Sequence, residues 1–251
     1  SNVTTMRHMF EQAVDFNGRL NAWDVSNLQD FRHMFSYAQN FNQPIGSWNT
    51  ASATDMAHMF DGAITFDQDI SGWNTSQVTT MYRMFLSAHS FNQPLDTWDV
   101  SSVTDMATMF AEAYAFNQPL NSWNTSNVRR TGSMFWNATS FNQDLNNWDL
   151  SADTLMSTMF VYAESFNGDI SSWNTSNVRF MNYMFGGATN FNGDISGWDV
   201  SSVESFHGMF WEASSFNQDI SNWNVSSGYE FGRMFNKALA FNQPIGAWNM
   251  G

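Results

Sequence analysis

The sequence predicts an α/β repeat solenoid in which ten 25-residue units each add one short parallel strand and one short helix to a continuous stack. Three observations lead there. The dipeptide Met-Phe ends at Phe10 and returns every 25 residues as far as Phe235. Tryptophan keeps the same interval from Trp23 to Trp248. No insertion breaks the period, so residues 1–251 read as one solenoid of units 1–25, 26–50 and so on to 226–250, with no linker and no evident capping repeat. A fixed period of this length marks a unit that buries its apolar side only by stacking on its neighbours.

The strand is read from the alternation around Trp98. Trp98 and Val100 are apolar, while Thr97, Asp99 and Ser101 between them are polar, the period of two expected of a half-buried strand. Thr50, Thr75, Thr125 and Thr175 share the inward column with Val25, Val100, Leu150 and Val200. The helix is read from Val103, Met106, Met109, Phe110, Ala113 and Phe116, whose spacings of three and four form a buried stripe. Thr104 or Asp105 would cap it, and Asn-Gln-Pro or Asn-Gly-Asp after the last Phe would end it. Residues 103–106 also suit a second short strand. Ten parallel strands about 4.8 Å apart would build a face on the order of 50 Å long.

Asn follows the last Phe of each unit, at Asn17, Asn42, Asn92, Asn117, Asn142, Asn167, Asn192, Asn217 and Asn242, with Asp67 in the third. An amide repeated once per layer can bond the backbone of the next layer, so this column, with Asn92 to Asn192 at its centre, reads as a structural ladder.

The order Trp, Asp or Asn, Val or Thr, Ser, followed by V-T-x-M-x-x-M-F-x-x-A-x-x-F-N, resembles the BspA-like leucine-rich-repeat surface proteins of bacteria, in their W-D-T-S-N-V-T-D-M variant. W-N-T-S-N-V at Trp123–Val128 and Trp173–Val178 carries the likeness most closely, and it extends over the whole chain. The resemblance implies a leucine-rich-repeat-like solenoid, extracellular or surface placement, and adhesion or binding rather than catalysis. The chain departs from the pattern at Ala51, Asp153 and Gly228 and, in the Met column, at Thr131.

Composition narrows the function. The formal charge of −14 repels phosphate backbones and anionic lipid, which argues against nucleic acid and membrane partners. With no cysteine there is no disulfide, thiolate metal site or cysteine nucleophile. Nearly every polar residue belongs to a repeated column, whereas a catalytic site needs an asymmetric constellation, so no catalytic residue and no cofactor is assigned.

Three columns depart from simple scaffolding. Leu86, Trp136, Val161 and Trp211 fall opposite the buried stripe of the expected helix, where apolar residues would form an exposed contact patch. Asp144, Asp169, Asp194 and Asp219 occupy one turn position in successive units and are a candidate calcium site. His8, His33 and His58 also share a column, on the expected solvent side of the helices, where helix separation argues against a shared ion, so no metal site is assigned. The expected function is a noncatalytic surface binding or adhesion module for a protein or glycan. A self-associating stalk, joined through repeat ends or the apolar patch, is the alternative, and an ice- or crystal-binding face is a minor one.

Overall fold

The computed structural model describes residues 2–249. It is a stack of coils, one per 25-residue unit, but the units contain no α-helix and no extended strand among the described residues. A single turn of 3-10 helix, Ile245–Ala247, is the only helical element described.

The backbone from position 6 to position 13 of each unit explains both the stack and the missing helix. The N–H groups of Met81, Arg83, Phe85 and Ser87 donate to Asp105, Ala107, Met109 and Ala111 of the following coil, over 2.8–3.1 Å. The residues between them turn inward on their own coil. Met84 donates to Met81, Leu86 to Arg83 and Ala88 to Phe85 over 3.1–3.3 Å. Alternate amides therefore stitch coil to coil and close three-residue turns, which satisfies the backbone without a helical ladder. The turns need residues in the left-handed region, and positions 8 and 12 supply them in every unit, as at Arg83 (φ 57°) and Ser87 (φ 54°). Only Gly62, Gly187 and Gly208 among these positions are glycine, so every coil has at least one residue that carries the steric penalty of about 1–2 kcal/mol for the left-handed region.

This overturns the strand-plus-helix reading of each unit. A right-handed helix over 104–116 cannot contain Thr108 at φ 61° and Glu112 at φ 55°. The spacing of three and four arises because each tight turn returns the chain to the core after three residues, and so imitates a helical stripe. The segment around Trp98 forms no bridge with its neighbours. The parallel pairing lies in the alternative segment, as a single-residue bridge from Thr5 through Asp30, Asp55, Thr80 and Asp105 to Arg130, and again from Leu155 through Phe180 and Ser205 to Glu230.

Aromatic ladders fill the core. Phe35, Phe60 and Phe85 stack with ring centroids 5.6 Å apart between coils, and each lies about 4 Å from a second Phe of its own coil, as Phe60 does from Phe66. The Trp rings form a third column, with Trp73 and Trp98 6.3 Å apart. From Trp48 to Trp248 the indole N–H crosses to the preceding coil, Trp123 Nε1 donating to the Leu95 carbonyl over 2.9 Å. Eight of the ten Trp in this column are buried, and Trp23 and Trp248, in the first and last coils, are partly so. The inward Thr column is buried as well, with Thr75 Oγ1 donating to the Asp99 carbonyl of the next coil.

Two departures from the repeat consensus compensate each other. Asp153 replaces an apolar residue and Thr131 a Met; both are fully buried, and Thr131 Oγ1 donates to Asp153 Oδ2 over 2.6 Å. The Leu155 N–H donates to the other carboxylate oxygen over 2.8 Å. The parallel bridge is interrupted here, between Arg130 and Leu155, where the carboxylate takes up backbone donors.

Two outcomes follow from this packing. Trp123→Ala should lower stability in urea unfolding by about 3–5 kcal/mol, and a variant that unfolds like the parent would remove Trp123 from the core. Burial pushes the Asp153 carboxyl up to about 6, so the folded chain holds this proton more tightly than the unfolded chain does. Stability should therefore fall as pH rises from about 4 to 6, by roughly 2–3 kcal/mol. The paired substitution Thr131→Met with Asp153→Val should abolish this slope and raise the melting temperature at neutral pH.

Candidate functional site

The side chains free to vary lie along one turn-rich face, at positions 8, 11 and 12 of each coil. Its character changes along the stack. The early coils place His8, His33 and His58 in face-to-face contact, with ring centroids 4.6 and 4.2 Å apart. Each of the outer two bonds a carboxylate of its own coil, His8 Nδ1 to Glu11 at 2.7 Å and His58 Nδ1 to Asp61 at 2.9 Å. The expected separation of these histidines does not hold, because coils stacked without helices bring their turns into contact.

The later coils present rings. Trp136 is 36% exposed, and Trp211 is half-buried, packed edge-on against Tyr162 and Tyr183 at 6.0 Å from each. Tyr183 Oη shares a 2.9 Å hydrogen bond with His207 Nε2. The contact patch expected from sequence is thereby corrected in part. Leu86 and Val161 are only 7% exposed, and Ala111 in the same column is fully buried. Position 11 sits inside a tight turn with the same position of the adjacent coils in register with it, so small and aliphatic side chains of the interior coils are covered, while the Trp136 ring and, in the last coil, Asn236 stand clear.

Tyr162 and Tyr183 were missed from sequence, although a signal exists. Tyr37, Tyr162 and Tyr183 are each followed 25 residues later by glycine, at Gly62, Gly187 and Gly208. A Cβ on these glycines would lie 2.6, 2.4 and 2.3 Å from a carbon of the corresponding ring. Each ring is seated on bare backbone of the next coil.

The carboxylates of the Asp column each accept a backbone N–H. Asp169, Asp194 and Asp219 each accept the N–H of the Ser two residues on, and Asp144 accepts the Asp169 N–H at 2.8 Å. The Ser hydrogen bonds hold Asp194 and Asp219 below the usual carboxylate range. The Asn ladder runs coil to coil. Asn92 Oδ1 accepts the Asn117 N–H, Asn117 that of Asn142, Asn142 that of Asn167 and Asn167 that of Asn192, over 2.8–2.9 Å. Gln118 and Gln143 add a second bond to the same oxygens, so these amides are engaged in the scaffold. At the last coil, Phe231, Met234, Phe235, Ile245 and Trp248 line an open apolar cavity of about 520 Å³.

Stacked coils with a variable turn face define a tandem-repeat solenoid protein. The chain belongs to the family described as "Mycoplasma protein of unknown function, DUF285", which matches residues 1–89, 67–173 and 154–251. No curated protein matches it. Among solved structures it is similar at 7% identity and a TM-score of 0.27 to one described as TLR13 in complex with ssRNA13, over 92% of this chain and 39% of that one. A second, from Drosophila and described as the Toll–Spatzle complex, gives 12% identity and a TM-score of 0.32 over 95% and 34%. The chain spans little more than a third of either, and likenesses this loose assign neither fold detail nor function.

Gly187→Ala would force a Cβ into the Tyr162 ring at a residue with φ 69°, and should cost about 1–2 kcal/mol on melting. Trp136→Ser should stay within about 0.5 kcal/mol of the parent, as for other surface changes. A large loss for Trp136→Ser would make that ring part of the core.

Proposed function

We propose that this chain is a noncatalytic binding module displayed on the cell surface, which holds a protein or glycan partner against its turn face. The observation that carries the reading is the aromatic group Trp136, Tyr162, Tyr183 and Trp211. Exposed Trp and Tyr supply large contact area with little rotamer entropy to lose, and their polar edges fix orientation, which is why such rings dominate recognition surfaces. The core does not require them: position 11 holds Glu11, Ser36, Leu86, Trp136 and Asn236 in different coils. The motif likeness to BspA-like surface proteins supports surface placement and adhesion, and the charge of −14 favours a neutral or basic partner over an anionic one.

Arrays of glycans and of extracellular proteins, probed with the intact chain and with a Trp136→Ser variant, test this reading. Binding should be saturable in the parent and at least about tenfold weaker in the variant, corresponding to about 1.4 kcal/mol, while melting stays close to the parent's. Equal binding by both proteins would remove the aromatic group as the contact surface.

A further inference from the structure

We propose that His8, Glu11 and His33 form a binding site for a divalent transition metal of the zinc class. Among the described residues they are the one group of three or more His, Asp or Glu whose ligand atoms all lie within 4.8 Å of one another. The Glu11 carboxylate reaches both rings, one oxygen 2.7 Å from His8 Nδ1 and the other 3.7 Å from His33 Nδ1. The longer distance is beyond hydrogen bonding. Two ligands held at about 2.0–2.2 Å on one tetrahedral ion sit about 3.3–3.6 Å apart, so small side-chain rotations bring this set onto an ion.

A second observation points the same way. His33 Nδ1 is buried with no hydrogen-bond partner, and so is the hydroxyl of Ser36, a residue 1% exposed that occupies the position of Glu11 one coil on. An unsatisfied buried polar atom costs about 1–3 kcal/mol, and an imidazole nitrogen without a partner is the kind of group that a metal would engage. Two imidazole nitrogens and one carboxylate suit zinc, and also copper or nickel, better than calcium, which takes oxygen ligands. Three protein ligands leave a coordination position for water or a partner's side chain.

The surroundings explain why the ion would sit here rather than further along the column. One coil on, Ser36 stands in the place of Glu11 and supplies no carboxylate, and two coils on Asp61 is bonded to His58 and lies 3.6 Å from the Arg83 guanidinium, whose charge opposes a cation. At the proposed site the opposing group is Arg7, whose Nε donates to His8 Nε2 over 2.8 Å and so places the His8 proton on Nδ1. Metal binding at Nδ1 displaces that proton and requires Nε2 to become the donor, so Arg7 must swing away. Arg7→Ala should therefore bind more tightly than the parent.

Calorimetric titration of zinc chloride into the metal-free full chain tests the site, with cobalt(II) absorption reporting coordination. One ion per chain is expected, with the strong visible absorption of four-coordinate cobalt. Glu11→Gln and His33→Gln should weaken binding by about 100-fold or more, since removing even an outer-shell partner of a metal ligand costs about 10–100-fold. His89→Gln, outside the site, should leave affinity unchanged. Melting in chelator checks that each variant folds, and if His33→Gln does not, Glu11→Gln on the surface decides. Absence of saturable zinc binding by the parent, or undiminished affinity in the folded Glu11→Gln variant, would overturn the proposal.

Discussion

Every coil of this protein depends on its neighbours for hydrogen bonds that its own turns cannot make. Within positions 6 to 13, alternate N–H groups point along the stack and find carbonyls only in the next coil. That requirement enforces the constant 25-residue period, because one inserted residue would exchange every stitching amide for a turn-closing one. It also sets the aromatic ladders, since identical backbone in register places identical side chains over one another, and large flat rings fill the interior of a coil at the resulting spacing of about 5–6 Å.

The same constraint divides residues into those the stack uses and those it leaves free. Asn ladder amides, indole N–H groups and inward Thr hydroxyls all satisfy groups in an adjacent coil, so their repetition is structural. Turn positions 8, 11 and 12 answer mainly to backbone conformation, and their side chains can change from coil to coil. The solenoid stacks three imidazoles at one end of that face and sets Trp136, Tyr162, Tyr183 and Trp211 further along it. Thr131 with Asp153 shows the tolerance of the interior as well: a polar pair is accepted in the core where each partner satisfies the other, at the expense of one bridge in the parallel series.

Much of this was legible in the sequence. The interval between Trp23 and Trp48 defines the unit, and the apolar columns name the core. The element type was not legible, because a coil of three-residue turns and an amphipathic helix both return side chains to the core at spacings of three and four. Phi angles near +60° at Thr108 and Glu112 separate the two, and residues other than glycine at most of these positions hide them. Misreading the element carried through to the surface: an angular argument placed Leu86 and Val161 outside, while the tight turn covers them. The Tyr162–Gly187 pairing needs a comparison between units, since neither residue is unusual inside its own.

Each unit is a coil of turns, with residues in the left-handed region, stitched to the next. Backbone NMR over residues 103–116 tests it directly, through Cα secondary shifts and the couplings that report φ. Shifts should break at Thr108 and Glu112, couplings should be consistent with positive φ at both, and the Phe110 amide should show contacts to residues around Met134. An unbroken run of helical shifts from 104 to 116 would contradict it.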